Sequence, residues 1–237
     1  MPEPILDVAG LDAFYGRAQI LFDVGLIVPD RAVVALLGRN GAGKSTTLKA
    51  IFGLIERRAK TLRFNGEDMH RLQPFELARR GLGFVPEDRR IFTDLTVMEN
   101  LEVGRQPPRD SAPSWTPERL FELFPNLAEM RGRQASRMSG GEQQMLTIAR
   151  TLMGNPRALL LDEPSEGLAP RIVELMANAI LALKSEGLAI LVCEQNFHFA
   201  AYVSDRAVIL EKGRVRFDDT MAALKSDEAA RGAFLAV

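Results

Sequence analysis

Apolar runs without polar alternation recur along the chain and are separated by segments with helical spacing. The clearest runs are "RAVVALLG", "LGFVPE", "ALLLDEP" and "LAILVCEQ". Strands covered on both faces have this pattern, and strands that alternate with helices form a mainly parallel sheet. Helices are predicted for "STTLKAIFGLI" and "PRIVELMANAILALKSEG", the second with a proline start and a glycine stop. The pattern therefore predicts an α/β fold whose sheet is flanked by helices.

Two parts of the chain depart from this alternation. Asn65 and Gly66 within "AKTLRFNGEDM" predict a hairpin, so we expect an antiparallel β subdomain in the N-terminal part. Between 88 and 150 helix signals dominate, among them a capping box of Thr96 with Glu99 and a Thr116-Pro117 helix start. We expect a single domain over 1–237, in which 1–87 and 151–237 form the core and 88–150 forms an inserted helical lobe.

Composition and charge narrow the class of partner. The 30 basic and 31 acidic residues leave a net charge of −1, which gives no electrostatic reason to expect nucleic acid. The single cysteine, Cys193, lies in an apolar run and fits a reducing compartment. No apolar run reaches the roughly 18–20 residues that span a bilayer, and "MPEPILDVAG" lacks the features of a signal peptide. We therefore expect a soluble, cytoplasmic chain whose membrane role would come through a partner.

The segment "GRNGAGKST", Gly38 to Thr46, matches the pattern G-x-x-x-x-G-K-[ST] between a predicted strand and a predicted helix. Backbone N–H groups of such a loop bind phosphate oxygens, helped by the helix N-terminus. Lys44 would contact the β- and γ-phosphates, and the Ser45 hydroxyl would bind Mg²⁺. A glycine-rich turn that binds nothing is the alternative, but the flanking elements are those that the motif requires. The sequence predicts a nucleotide site.

Two acids follow the strand "ALLLD". Asp162 is placed to hold Mg²⁺, usually through water, and Glu163 to orient or deprotonate the attacking water. Either residue alone would be interpreted as a solvated acid at a strand end. Together with the phosphate loop they predict nucleotide hydrolysis.

A second glycine-rich turn occurs in "MSGGEQQM". Ser139 and Glu142 form a capping box that opens the helix "EQQMLTIARTLM". Capping does not explain Gly140 and Gly141, since each glycine lowers helix propensity by about 1 kcal/mol. Glycine at these positions lets a phosphate approach the exposed N–H groups closely. The chain therefore has two candidate phosphate-binding loops.

The order of the phosphate loop, "SGGEQQ" and "LLLDEP" resembles the ATP-binding cassette (ABC) ATPases over essentially the whole chain. The resemblance implies that two cassettes pair head to tail, with each ATP between the phosphate loop of one and the signature loop of the other. Ser139 to Glu142 would then contact the γ-phosphate held by the opposite subunit. Tyr15 matches the family's aromatic residue that stacks on adenine; its other interpretation is a packed strand aromatic.

Motifs and resemblance together assign the site residues. Catalytic roles fall to Glu163, Lys44 and Gln195, and the Mg²⁺ ligands would be Ser45, Asp162 and Glu87. The residues expected to bind ATP are Tyr15, Gly38, Arg39, Asn40, Gly41, Ala42, Gly43, Lys44, Ser45, Thr46, Glu87, Ser139, Gly140, Gly141, Glu142 and Asp162.

Three positions differ from most members of the family. Glu87 stands where a glutamine usually contacts Mg²⁺ and the attacking water, and Ala169 stands where an aspartate is usual. Gln195 stands where a histidine usually contacts the γ-phosphate, and an amide can donate a hydrogen bond but carries no charge. His198 is interpreted as a helix residue rather than as a substitute. We expect firm ATP binding and slow hydrolysis.

A closer resemblance is carried by "FYGRAQIL", "GFVPEDRRIF", "LTVMENL", "DEPSEGLAP", "CEQN" and "SDRAVILEKGRV". These are similar to one ATPase subunit of the branched-chain amino acid importers, which are themselves similar to urea and short-amide importers. The implied partners are a second ATPase cassette, two membrane-spanning permease subunits and, indirectly, a periplasmic binding protein. The implied location is the cytoplasmic face of the inner membrane, as a peripheral subunit. Whether the cassette also pairs with itself stays open.

The resemblance also implies that a cytoplasmic helix of a permease docks between lobe and core. Ile91, Phe92 and Leu95 are candidates for this groove, or else residues of the lobe's own core. An exporter ATPase stays possible, because the membrane subunits set the direction of transport. Soluble ABC ATPases that act on DNA or ribosomes carry long coiled coils or two cassettes in one chain, and neither is found in this sequence.

Overall fold

The computed structural model describes residues 3–110 and 112–235. Its strands are β1 (Leu6–Tyr15), β2 (Ala18–Val28), β3 (Val33–Leu37), β4 (Glu56–Arg58), β5 (Thr61–Phe64), β6 (Glu67–Asp68), β7 (Leu82–Val85), β8 (Ala158–Asp162), β9 (Ala189–Glu194), β10 (Arg206–Glu211) and β11 (Arg214–Thr220). Its helices are α1 (Lys44–Ile51), α2 (Pro74–Arg79), α3 (Val97–Gly104), α4 (Pro117–Leu123), α5 (Pro125–Ala128), α6 (Gly140–Leu152), α7 (Pro170–Ser185), α8 (Phe197–Val203), α9 (Met221–Ser226) and α10 (Glu228–Phe234).

The central sheet has six strands in the order β11-β10-β3-β9-β8-β7. Its neighbouring strands run parallel, except that β10 and β11 form an antiparallel hairpin. Every residue of β3, β8 and β9 is buried. Along β3, Val33, Ala35 and Leu37 pack into one hydrophobic cluster, and Val34 and Leu36 pack into another. The unbroken apolar runs are therefore explained by a sheet covered on both faces.

The second sheet is antiparallel and is built from the N-terminal part of the chain, in the order β2-β1-β5-β6, with β4 also paired to β1. The predicted hairpin is present, since Arg63 and Phe64 pair with Asp68 and Glu67 across the Asn65-Gly66 turn. This sheet packs against one face of the central sheet and shares a hydrophobic cluster with it.

Helical elements occupy the middle of the chain, and none of the described residues from 88 to 157 belongs to a strand. Thr96 and Glu99 form the predicted capping box of α3, and Thr116 caps α4 with Pro117 in its first turn. Asn100 is buried and ties this region to the segment before it, because its side chain accepts from Phe92 N and donates to Phe92 O, both at 3.0 Å. The division at 88 and 150 stays a prediction.

The C-terminal segment forms two short helices, α9 and α10. Asp205 links the start of α9 to the central sheet, since its carbonyl oxygen accepts from Met221 N at 2.8 Å and its carboxylate accepts from Val33 N at 2.9 Å. Among the residues that the structure describes, no helix is both long and apolar enough to cross a membrane.

Candidate nucleotide-binding and hydrolysis site

Functional side chains gather at the carboxyl edge of the parallel strands. The phosphate loop follows β3, Glu87 follows β7, Asp162 ends β8, and Gln195 follows β9. The register aligns Leu37 of β3 with Glu194 of β9, and Asp162 of β8 with Cys193 of β9. Open α/β sheets bind their ligands at this edge. Residues that are more than a hundred positions apart in sequence thus meet because their strands end together.

The phosphate loop leads directly into α1. Gly43 caps this helix with φ of 109°, and a side chain at Gly43 would lie 2.7 Å from Leu21 Cδ2. Only glycine therefore satisfies both the backbone conformation and the packing at this position. Lys44 is buried, and its Nζ donates to Gly38 O at 2.9 Å and to Arg39 O at 3.4 Å. The lysine thus curls back over its own loop, as a phosphate-binding lysine would.

A buried ion pair joins two of the three catalytic candidates. Lys44 Nζ lies 3.0 Å from Glu163 Oε1, and Gln195 Nε2 donates to Glu163 Oε2 at 2.9 Å. Burial would raise the pKa of Glu163, but hydrogen bonds with Glu166, Gln195 and Lys44 hold its pKa below the usual value. Glu163 also has φ of 47°, a left-handed conformation that is unfavourable for a non-glycine residue and is enriched at active sites. The geometry presents an ionised carboxylate, as a general base requires.

The Mg²⁺ candidates Ser45 and Asp162 are in contact, with Ser45 Oγ donating to Asp162 Oδ1 at 2.8 Å. Asp162 Oδ2 is buried and has no hydrogen-bond partner among the described residues. Burial raises the pKa of Asp162 to about 6. A divalent cation would satisfy this orphaned oxygen and stabilise the charged form, so the residues fit Mg²⁺. Across the described residues, no cluster of three His, Cys, Asp or Glu side chains could hold a metal by itself, so hydroxyl and phosphate oxygens would have to contribute.

Two further carboxyl groups lie at the site, and neither was singled out from the sequence. A hydrogen bond to Glu163, together with burial and the neighbouring carboxylates, raises the pKa of Glu166 to about 7. Burial raises the pKa of Glu194 to about 7, although its oxygens accept from Ser165 N at 3.0 Å and from Asn196 N at 3.4 Å. Glu166 could have been found as a third acid within four residues of Asp162. Glu194 accepts its hydrogen bond from Ser165, 29 residues earlier in the chain, and no local sequence pattern indicates this contact.

A cavity of about 450 Å³ lies between the phosphate loop, Tyr15 and the carboxylates of Glu87, Glu163 and Glu166. Its volume suits a nucleotide. Tyr15 at the end of β1 is part of its wall and is 46% exposed, so it is not a packed core aromatic. Gly38, Arg39, Ala42, Asp162 and Gln195 do not line the cavity directly. The lining residues are Tyr15, Ile20, Asn40, Gly41, Gly43, Lys44, Ser45, Thr46, Glu87, Glu163 and Glu166.

The signature loop lies outside this cavity. Ser139 caps α6: its Oγ accepts from Glu142 N at 3.4 Å, while Ser139 N donates to Glu142 Oε2 at 2.7 Å. None of Ser139, Gly140, Gly141 and Glu142 lines the cavity that the phosphate loop lines. The described residues thus hold the two glycine-rich loops apart, with the signature loop away from the cavity that the phosphate loop lines.

A separate groove of about 370 Å³ lies between the core and the helical region. Phe75 and Phe92 line it, both more than 45% exposed. Ile91 and Leu95 are half-buried and do not line this cavity, so only one of the three candidate groove residues faces it. His198 lies in α8 and is exposed, as expected of a helix residue.

Comparison with known proteins finds relatives that match along the whole chain. A profile of the ABC transporter family matches residues 21–166. The chain is 41% identical to the high-affinity branched-chain amino acid transport ATP-binding protein BraG of Pseudomonas aeruginosa, over 95% of this chain and 97% of the relative. It is 34% identical to the lipopolysaccharide export system ATP-binding protein LptB of Haemophilus influenzae, over 98% of this chain and 97% of the relative.

Solved structures show the same fold. The ADP conformation of an ATP-binding cassette of an ABC transporter superposes with a TM-score of 0.80 at 25% identity, covering 96% of both chains. A nucleotide-free cassette superposes with a TM-score of 0.79 at 26% identity, covering 96% of this chain and 97% of that chain. The predicted fold class, with its mainly parallel core, antiparallel β subdomain and helical insertion, is confirmed. With phosphate loop, acids and signature arranged as described, the chain belongs to the ABC transporter family and is an ATPase that couples ATP hydrolysis to transport.

Proposed function

We propose that this chain is the ATPase subunit of an importer for branched-chain or related amino acids. The relative BraG supports this substrate class, since it is 41% identical to this chain over 225 residues and acts in branched-chain amino acid transport by its name. The named relatives are ATP-binding subunits of transport systems, and on this basis we infer a second cassette, two permease subunits and a periplasmic binding protein as partners. The chain would then lie as a peripheral subunit at the cytoplasmic face of the inner membrane.

The observation that carries the mechanism is the position of the signature loop outside the chain's own nucleotide cavity. A loop built to approach phosphate, but remote from the chain's own phosphate site, fits a nucleotide held by another subunit. In this proposal Ser139 to Glu142 of one cassette close over the γ-phosphate bound by the other. Hydrolysis removes that phosphate and with it the contacts that favour the closed pair.

Within the site, the roles follow from charge and position. Lys44 and the loop N–H groups hold the phosphates, and Tyr15 stacks on the base. Ser45, Asp162 and Glu87 would hold Mg²⁺, which would neutralise phosphate charge. Glu163 accepts the proton of the attacking water. Gln195 orients Glu163, because its amide already donates to the carboxylate.

The pairing is tested first by the solution mass of a Glu163→Gln variant, with Mg²⁺ and with or without ATP. The amide retains the size of the carboxylate but cannot accept the proton, so ATP stays trapped and the mass should double. A variant that binds ATP and stays monomeric would show that pairing needs the non-identical cassette.

The substrate class is tested by uptake of labelled leucine into cells that carry the intact chain or its Glu163→Gln variant. Uptake should fall with the variant, whereas uptake of an unrelated sugar should not. The relatives that export lipopolysaccharide provide the second candidate function, supported by 34% identity over nearly full length. Unchanged leucine uptake with loss of lipopolysaccharide from the cell surface would favour this export function.

Slow hydrolysis is part of the proposal, because Gln195 brings no positive charge to the γ-phosphate. A Gln195→His variant should raise ATP turnover in the assembled complex severalfold, measured by phosphate release. A matched His198→Gln variant should leave turnover unchanged, since His198 is exposed on α8 and does not line the nucleotide cavity. Equal or lower turnover with the new histidine would remove the reason for assigning slow hydrolysis to this position.

A further inference from the structure

The two signature glycines are in contact with different parts of the chain. A methyl group at Gly141 would lie 2.8 Å from Ile172 Cγ2 in the first turn of α7. A methyl group at Gly140 would lie 2.9 Å from Arg89 Nη1, 3.0 Å from Nη2 and 3.2 Å from Cζ. Gly141 is therefore a packing residue, whereas Gly140 leaves room for a guanidinium that lies against the signature loop.

The path of the backbone explains how Arg89 reaches this loop. Arg89 and the next residue have φ of 63° and 52°, and Arg90 N donates to Asp88 O at 2.6 Å. The Arg90 side chain turns back to Asp88, with Nε 2.9 Å from Oδ2. This turn directs neighbouring arginines to different places: Arg90 is neutralised within the turn, and Arg89 reaches Gly140.

The Arg89 guanidinium has no acidic partner among the described residues. Over residues 3–110 and 112–235, Arg89 takes part in no ion pair, unlike Arg90. The acid closest in sequence to Gly140 is Glu142, and its carboxylate is occupied by the N–H of Ser139 at 2.7 Å. Arg89 also does not line the chain's own nucleotide cavity, although Glu87, two residues before it, does. The segment from Glu87 to Arg89 thus touches the chain's own nucleotide cavity at one end and its signature loop at the other.

We propose that Arg89 is a further nucleotide-binding residue, whose guanidinium contacts the γ-phosphate that the signature loop receives from the opposite cassette. This inference rests on the proposed head-to-tail pairing. A guanidinium donates several hydrogen bonds in a plane and binds phosphate oxygens more strongly than neutral N–H groups do. Arg89 would supply, from the opposite subunit, a positive charge that Gln195 does not bring to the same phosphate.

The test compares variants of Arg89 in the Glu163→Gln chain, which traps ATP. Arg89→Gln retains hydrogen-bonding ability and removes the charge, Arg89→Lys retains the charge, and Arg90→Gln is the matched control. The quantity measured is the dissociation constant of the ATP-dependent pair, by light scattering over a range of protein concentrations and salt. ATP affinity of the dilute monomer and the thermal midpoint of each variant are measured beside it.

We expect Arg89→Gln to weaken pairing by about tenfold per site, as for loss of a charged hydrogen bond, and to reduce its salt dependence. Monomer affinity and thermal midpoint should not change, Arg89→Lys should retain most of the pairing, and Arg90→Gln should match the parent. Equal pairing by Arg89→Gln would overturn the proposal, and tighter pairing would show that the guanidinium obstructs the loop instead. Should the parent not pair with itself, the proposed self-pairing fails separately, and the same variants are measured with the second cassette under the same criteria.

Discussion

At the scale of single residues, the central contact of the site is the ion pair between Lys44 and Glu163. With both side chains buried and 3.0 Å apart, each neutralises the other. An incoming γ-phosphate must separate them, because it needs the lysine and is repelled by the carboxylate. The same contact that prepares the base therefore opposes the binding of ATP.

This competition predicts that Glu163→Gln binds ATP more tightly, by about tenfold, since one negative charge near the γ-phosphate is removed. ADP has no γ-phosphate and should gain much less, so the ratio of the two affinities is the informative quantity. Calorimetric titration would measure both in a chain that also carries Ser139→Phe, which prevents pairing from adding to the apparent affinity. An equal gain for ADP would contradict the competition.

A second prediction at this scale concerns Glu194, which ends β9 and is buried. Its pKa of about 7 lies above that of an unfolded glutamate, so the folded chain holds a proton that the unfolded chain releases. The free energy of unfolding should therefore fall as pH rises from about 4.5, the ordinary pKa of the group, to about 7, by up to roughly 3 kcal/mol from this group. In a Glu194→Gln variant this part of the fall should disappear.

Urea unfolding between about pH 4.5 and pH 8.5 would measure this difference. The pKa values of Asp162 and Glu166, about 6 and about 7, lie in the same pH range. The quantity compared is therefore the slope of the unfolding free energy against pH, in the variant and in the parent, rather than the free energy at one pH. Glu122→Gln, exposed on α4, is the matched control and should follow the parent. Parallel curves for Glu194→Gln and the parent would show that the pKa of Glu194 is not raised in the folded chain.

At the scale of elements, the first turn of α6 packs against the first turn of α7. Because a side chain at Gly141 would meet Ile172 at 2.8 Å, Gly141→Ala should destabilise the chain by about 1–3 kcal/mol. Gly140→Ala meets only the flexible end of Arg89 and should be close to neutral. Denaturant unfolding measures the stability of both variants. The double variant Gly141→Ala with Ile172→Ala should recover part of the lost stability, and this recovery measures the coupling between the two helices. Additive effects in the double variant would contradict this contact.

The sequence predicted the elements whose signals are local. The phosphate loop, the buried strands, the Asn65-Gly66 hairpin and the capping boxes of α3 and α6 each depend on a few neighbouring residues, and each is present. The signature loop is predicted to bind phosphate in the same way, and both this role and its use by a partner stay proposals.

Contacts between distant segments could not be predicted in this way. The approach of Arg89 to Gly140 depends on two left-handed residues in a loop, and the burial of Glu194 depends on how a loop folds over the end of β9. Phe92 faces the groove while Ile91 is half-buried. Adjacent residues of a loop have no regular periodicity, so the sequence does not predict which of them faces the groove. Residue type predicted the chemistry of the site, but tertiary structure decides which of these groups are charged and where they point.

At the scale of the whole molecule, the proposed head-to-tail pairing makes each chain contribute its phosphate loop to one nucleotide site and its signature loop to another. A chain with Lys44→Ala lacks a working phosphate loop but has an intact signature, and a chain with Ser139→Phe has the reverse. In a head-to-tail pair with twofold symmetry, a mixed dimer of these chains contains one intact site and one doubly damaged site. If each chain used its own signature, the mixed dimer would contain no intact site.

The prediction is therefore that the two variants, each in the Glu163→Gln background, are monomeric with ATP when alone and form dimers when mixed. Light scattering after gel filtration measures the mass, and nucleotide analysis of the dimer should find one trapped ATP for every two chains. The mixed sample is informative only if the Glu163→Gln parent itself pairs, and the same gel filtration measures the mass of the parent. If the parent pairs and the mixture stays monomeric, the signature loop acts on the nucleotide of its own chain, and the cavity that excludes it would have to rearrange.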